Sequence, residues 1–201
     1  MKRGFTIAFE GIDGSGKTTH SKALASILRD RCHEVLVEHE PTQGPWGTKL
    51  RESGSTGRLS PEDELEYFLK DRRQHVDEVI LPALAEGKIV ILDRYYFSNM
   101  AYQGVRGLDI NEIRRANEAF APKPDLLFIL DLDVDTALSR IGARGDVANE
   151  FEKKDSLERC REIFLSLAGE DFVRIIPTNS SKETVASMIQ NAVDEKLMPR
   201  S

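Results

Sequence analysis

The sequence predicts an α/β fold built on a parallel sheet, and three observations carry that expectation. Nearly unbroken apolar runs recur at 5–11, 34–40, 88–93, 124–133 and 172–176. Strands covered on both faces read this way, because neither face meets water. Helical stretches separate the runs, and strand–helix alternation is the pattern of a parallel sheet with right-handed crossovers. The chain has 201 residues, enough for one domain with a real core and short for two, so 1–201 is expected to form a single domain.

The first run, "FTIAFEG", leads into a glycine-dense stretch and then a helix over 17–31 with Leu24, Ile27 and Leu28 on one face. "EVLVEHE" is the second strand. A long helix is expected over 61–86. Ser60 with Asp63 forms a capping-box pattern, Pro61 fits the first helical position, Pro82 should kink the last turn and Gly87 can end it. "KIVILD", "PDLLFILDLD" and "FVRII" are the third to fifth strands. Residues 139–155 break the helical pattern before a helix that is apolar at Leu157, Cys160, Ile163, Phe164 and Leu167. This polar segment, with Arg140 and Arg144, is expected to form a short mobile lid over about 140–154 that carries arginine fingers.

Hydrophobic residues make up 40% and charged residues 31%, with a net charge of −6. That balance fits a soluble globular protein and argues against a nucleic-acid backbone as the main partner. Cys32 and Cys160 have no C-x-x-C spacing and read as reduced thiols. No apolar run approaches the roughly 18 residues of a membrane span, and the N-terminal apolar run is too short for a signal peptide. A cytoplasmic protein with no membrane or nucleic-acid partner is expected.

Gly11-Ile12-Asp13-Gly14-Ser15-Gly16-Lys17-Thr18 fits G-x-x-x-x-G-K-[ST] in full, between an expected strand and an expected helix. Glycines let backbone N–H groups face phosphate oxygens, and the helix N-terminus adds its positive end. Gly11, Asp13, Gly14, Ser15, Gly16, Lys17, Thr18 and Thr19 are thus the candidate contacts to a nucleoside triphosphate such as ATP. Lys17 supplies a point charge to the β- and γ-phosphates, and the Thr18 hydroxyl can ligate Mg²⁺.

Asp93-Arg94 ends the third strand, where ligands bind in open α/β sheets. Asp93 can complete the Mg²⁺ shell beside Thr18, and Arg94 can grip a phosphate bidentately. A GTPase switch would want [NT]-K-x-D and D-x-x-G; the chain offers "EKKD" and "DRYY" instead. Phe68 and Arg72 stand four apart on one helix face, a plausible pair for stacking a base and touching its edge.

"FEGIDGSGKTT", "FLKDRRQHV", "DRYYFSNMAYQG" and the arginine-bearing lid resemble the thymidylate kinase family in order and spacing, from about residue 5 to about 165. The resemblance implies a P-loop kinase with a five-stranded parallel sheet in the order 2-3-1-4-5, a homodimer, and transfer of the ATP γ-phosphoryl to dTMP. By that resemblance Phe68 stacks on thymine, Arg72 contacts its edge, and Asn99 and Gln103 sit where the family reads the base. Arg94 holds the dTMP phosphate, Tyr102 crowds the 2′ position, Asp13 bonds the 3′-hydroxyl, and Glu40 joins the acceptor site. The phosphate loop lacks the arginine that some members carry, so the catalytic group beside Lys17 and Arg94 is sought in the lid, with Arg144 first and Arg140 second. This is the bacterial style of the enzyme.

Three readings compete. "EPTQGPWG" also resembles a deoxynucleoside kinase, in which Glu40 would act as a base on a sugar hydroxyl. Another nucleoside monophosphate kinase, for UMP, CMP or AMP, shares the loop, and a GTPase switch is weaker still. His39 stands where many bacterial relatives have arginine, and His20, His33, His39 and His75 read as bystanders, since transfer to a phosphate acceptor needs no strong base.

Overall fold

The computed structural model describes residues 3–143 and 150–197. Its strands are β1 (Phe5–Glu10), β2 (Val35–His39), β3 (Ile89–Asp93), β4 (Leu126–Asp131) and β5 (Val173–Pro177). They form one parallel sheet in the order β2-β3-β1-β4-β5. The chain fills one side of β1 first and then crosses to the other, which opens a crevice above the strand ends. Register sets what faces that crevice: Phe9 and His39 both pair with Asp93. The residues that follow, Glu10, Glu40 and Arg94, therefore leave the sheet side by side.

Helices cover both faces. They are α1 (Lys17–Asp30), α2 (Pro45–Thr56), α3 (Pro61–His75), α4 (Leu81–Ala85), α5 (Tyr96–Val105), α6 (Ile110–Glu118), α7 (Val134–Gly142), α8 (Glu150–Leu165) and α9 (Lys182–Leu197). Alternate residues of each central strand feed two separate cores, as the period of two requires. Ile7, Phe9, Ile91 and Phe128 join Leu24 and Leu28 of α1 on one face. Ala8, Leu92, Leu127 and Ile129 join Tyr96, Phe97 and Phe164 on the other. The Phe9 and Phe128 rings meet at 5.2 Å across adjacent strands.

Two expectations need correction. The helix expected over 61–86 is interrupted by a π-helical turn, Val76–Ile80. There the Leu81 N–H reaches back to the Val76 carbonyl, one residue further than in an α-helix. The wider turn comes directly before Pro82, whose ring would otherwise meet the carbonyl four residues earlier. The capping at Ser60 is as expected: its Oγ accepts the Asp63 N–H at 3.1 Å. The break in helical pattern expected over 139–155 is also narrower among the described residues, because α7 runs through Gly142 and α8 starts at Glu150; the middle of the expected lid, 144–149, lies outside the described residues. Charged side chains hid these two helix ends, α7 being anchored by Ala137 and Ile141 and α8 by Leu157 and Cys160.

Candidate active site

The phosphate loop bridges β1 and α1, and its backbone explains its glycines. Gly11 has φ 137°, and a Cβ there would lie 2.5 Å from the Leu130 carbonyl oxygen. Gly14 has φ 83°, and a Cβ would lie 2.9 Å from the Ala137 carbonyl oxygen. Both conformation and space exclude a side chain. Gly14, Gly16, Lys17, Thr18, Thr19 and Asp93 line a cavity of about 430 Å³ over the loop. Gly11 and Ser15 lie beneath it. Ser15 is fully buried, and its hydroxyl has no hydrogen-bond partner among the described residues. An unspent buried donor in an anion-binding loop fits a phosphate ligand.

Lys17 is buried, and its ammonium donates to the carbonyls of Gly11 at 2.9 Å and Ile12 at 3.0 Å. Burial and the Arg94 charge push its pKa down to about 7, against the pull of Asp13, Glu10 and Asp93. The loop carries less negative charge than its cation wants, and a triphosphate supplies it. Thr18 Oγ1 donates to Asp93 Oδ2 at 2.5 Å. A hydroxyl and a carboxylate side by side are the oxygen donors that Mg²⁺ prefers.

Arg94 follows Asp93 in the left-handed region, with φ 72°. For a non-glycine residue that costs roughly 1–2 kcal/mol. Several contacts hold it there. Its N–H donates to the Phe9 carbonyl at 3.0 Å, Nη1 donates to Ser98 Oγ at 3.1 Å, and Nη2 pairs with Asp13. Glu10 fixes the following turn by accepting the N–H groups of Tyr95 at 2.8 Å and Ser98 at 2.9 Å. Burial lifts the Glu10 pKa to about 6, although the Ser98 bond and the Arg94 charge draw it down. The Asp13 side chain is half exposed; its partial desolvation would raise its pKa, but Arg94 and Lys17 outweigh that and hold the carboxyl below its ordinary range.

A second cavity, of about 210 Å³, opens on the other side of Arg94. Asp13, Glu40, Phe68, Arg72, Arg94, Asn99, Tyr102 and Gln103, dispersed over 90 residues of sequence, all line it. Arg72 is 1% exposed and nearly saturated. Nε donates to Glu40 Oε2 at 2.7 Å, Nη2 reaches the same oxygen at 2.6 Å, and Nη1 donates to Asn99 Oδ1 at 2.6 Å and Asn117 Oδ1 at 2.5 Å. A guanidinium has five N–H donors; Nε and Nη1 spend three in hydrogen bonds, while Nη2 stands in ion-pair contact with Glu40 and keeps an N–H for a ligand. Glu40 spends its other oxygen on His75 Nδ1 at 2.9 Å. Burial would raise the Glu40 pKa, but Arg72 and His75 lower it. A carboxylate so engaged is a poor base, which argues against the deoxynucleoside kinase reading. The buried Tyr102 hydroxyl makes no well-aligned hydrogen bond among the described residues but lies beside Asp13 and Arg94, and its ring is 5.3 Å from the Arg94 guanidinium.

His75, expected to stand outside the chemistry, has a defined structural place. It lies between Glu40 and Glu38, whose carboxylate is 3.4 Å from Nε2. Burial works against its charge, yet the Glu40 hydrogen bond and the charges of Glu40, Glu38 and Asp71 raise its pKa. Glu64 and Arg58 also line the acceptor cavity, and the sequence reading passed over both. A signal was there for Glu64, since Glu64, Phe68 and Arg72 recur every four residues along one helix face. Asn117 gave no signal. Arg140 lies in α7, where it donates to the carbonyls of Gly14 and Thr178, each at 3.2 Å. It thus ties the phosphate loop to the end of β5. Arg144 lies outside the described residues.

Known proteins resemble this chain over most of its length. The family model described as thymidylate kinase matches residues 9–189. A thymidylate kinase of Xanthomonas campestris pv. campestris (strain B100) is 56% identical over 164 residues, 82% of this chain and 72% of that protein. One from Xylella fastidiosa (strain M12) is 48% identical over 197 residues, 98% of this chain and 90% of that one. The crystal structure of thymidylate kinase from Ehrlichia chaffeensis superposes with a TM-score of 0.78 at 28% identity, covering 95% of this chain and 99% of that chain. With its phosphate loop, its sheet order and its buried Arg72 site, the chain belongs to the thymidylate kinase family.

Proposed function

We propose that this chain transfers the γ-phosphoryl group of ATP to dTMP, giving dTDP and ADP. One observation carries the reading beyond the family assignment. The acceptor cavity has a buried, donor-bearing wall at Arg72 and Asn99 and a cationic end at Arg94, and Arg94 adjoins Asp93 at the phosphate loop. Thymine presents a carbonyl beside a ring N–H. The free N–H of Arg72 meets the carbonyl, and the second lone pair of Asn99 Oδ1 meets the ring N–H. Phe68 supplies the stacking face, Gln103 supports Asn99, and Tyr102 and Asp13 meet the sugar. Glu40 acts by holding Arg72.

The acceptor phosphate is already anionic near neutral pH, so no strong base is needed and positioning with charge stabilisation carries the reaction. An oxygen of the dTMP phosphate forms a bond to Pγ while the bond from Pγ to the β–γ bridging oxygen breaks, and ADP leaves with that electron pair. Arg94 holds the attacking phosphate, and Lys17 with the loop amides holds the donor. Thr18 and Asp93 would hold Mg²⁺, which supplies neutralising charge to the ATP phosphates when bound. Arg144, from the segment between α7 and α8, supplies the arginine finger, with Arg140 near the end of α7 as the second candidate. We further propose a homodimer, one kinase domain per chain, in the cytoplasm. Among the described residues no helix is long and apolar enough to cross a membrane.

The test is an acceptor panel with ATP and Mg²⁺: dTMP, dUMP, UMP, CMP, dCMP, AMP and thymidine. Phosphorylation of dTMP with thymidine nearly untouched is the expected result. Faster turnover of thymidine overturns the reading.

A further inference from the structure

Arg72, Asn99, Gln103 and Glu64 form one hydrogen-bonded row along the acceptor cavity. Arg72 Nη1 donates to Asn99 Oδ1 at 2.6 Å, Asn99 Nδ2 to Gln103 Oε1 at 2.9 Å, and Gln103 Nε2 to Glu64 Oε2 at 2.9 Å. The two amides in the middle have ends alike in shape and opposite in hydrogen bonding. The two ends of the row have no such freedom. A guanidinium only donates and an ionised carboxylate only accepts, so both ends impose the same polarity on the amides between them.

Glu64 also stands between Gln103 and two further cations. Its carboxylate takes Arg58 Nε at 3.3 Å and Arg106 Nη1 at 2.5 Å. Burial would raise its pKa, but the bond from Gln103 and the contacts of Arg58 and Arg106 hold it below the ordinary range. Without this carboxylate, Arg58 and Arg106 would become the neighbours of Gln103, and both can only donate. The Gln103 carbonyl would then turn toward them and its NH₂ toward Asn99 Nδ2, setting donor against donor. Asn99 would lose one of the two bonds that fix its amide, leaving Arg72 alone to hold its carbonyl.

We propose that Glu64 is a positioning residue for acceptor-base selection. Through Gln103 it fixes the Asn99 amide so that its carbonyl lies beside Arg72. The wall therefore favours a base with a carbonyl next to a ring N–H over one with an amino group next to a bare ring nitrogen. This rests on the dTMP reading above and adds a residue that does not itself read the base.

The experiment compares kcat/KM for dCMP and dTMP in the full-length protein and its variants. Glu64→Ala raises the dCMP-to-dTMP ratio by about 10-fold, the scale of one misplaced hydrogen bond. Glu64→Gln, which keeps an oxygen facing Gln103 and Arg106, returns the ratio close to wild type. If Glu64→Ala does not fold, Gln103→Leu cuts the same link and carries the same expected rise. An equal fall on both acceptors, with the ratio unchanged, overturns the proposal and leaves the dTMP reading standing. A wild-type protein that does not favour dTMP over dCMP overturns the dTMP reading itself.

Discussion

Arg72 in the acceptor cavity and Lys17 in the phosphate loop are both buried cations, but they are held in opposite ways. Arg72 has three of its five donors in hydrogen bonds to Glu40, Asn99 and Asn117, one on Nε and two on Nη1, and its Nη2 stands in ion-pair contact with Glu40. Lys17 rests on two carbonyls of its own loop, and its ammonium is depressed toward neutrality. The acceptor wall is finished before a ligand arrives. The phosphate loop has its backbone finished and its charge unbalanced. A site that must tell one base from another gains from fixed donors and acceptors, because a wrong partner then leaves a buried group unpaired. A site for a triphosphate gains from unspent positive charge, because any phosphate chain will use it.

That contrast can be broken from either side. Lys17→Ala is expected to lower kcat on the order of 10³-fold while dTMP binding, read by equilibrium titration, stays near wild type. Arg144→Ala should cost on the order of 10² to 10³ in kcat with the same retention. Unchanged kcat in that variant moves the finger to another residue. Arg72→Met should do its damage in the fold. It leaves Glu40 buried without its cation, a loss of about 3–5 kcal/mol in urea unfolding, and a loss under 1 kcal/mol would mean that Glu40 has another partner. Lys17→Ala should unfold close to wild type.

Smaller effects sharpen the comparison. Arg94→Gly should be more stable than Arg94→Ala by about 1 kcal/mol, since both lose the Asp13 pair and only glycine accepts the left-handed backbone freely. Equal stability would show that the turn is not strained. The mildest is a change of slope. His75 has a raised pKa in the fold, so the folded state binds its proton more tightly than the unfolded chain. Its contribution is complete below the ordinary histidine value of 6.5 and fades as pH rises through the folded value. The stability gap between wild type and His75→Asn should therefore narrow as pH rises above 6.5, and a gap constant across that range removes the charged-ring assignment.

The sheet was legible because buried parallel strands must be apolar throughout, and the five runs stand out from charged helices. The phosphate loop was legible because it depends on backbone geometry, and backbone geometry needs glycine at set spacings. Phe68 and Arg72 could be placed on one helix face, but their burial could not be read: nothing near Arg72 in sequence announces Glu40 or Asn117, which reach it from 32 and 45 residues away. The partners of His75 were hidden for the same reason, since Glu38 lies in β2 and Glu40 directly follows it. The π-turn escaped because Pro82 signals a disturbance without saying how the helix absorbs it.

The left-handed residue at position 94 also bears on how the two substrates sense one another. Asp93 lines the cavity over the phosphate loop and Arg94 lines both that cavity and the one beside Arg72, so one peptide bond separates the groups proposed to serve donor and acceptor. Anything that shifts the end of β3 moves both. Occupancy on one side should thus be felt on the other as a change in affinity, and linkage makes the factor by which a nucleotide alters dTMP binding equal to the factor by which dTMP alters nucleotide binding.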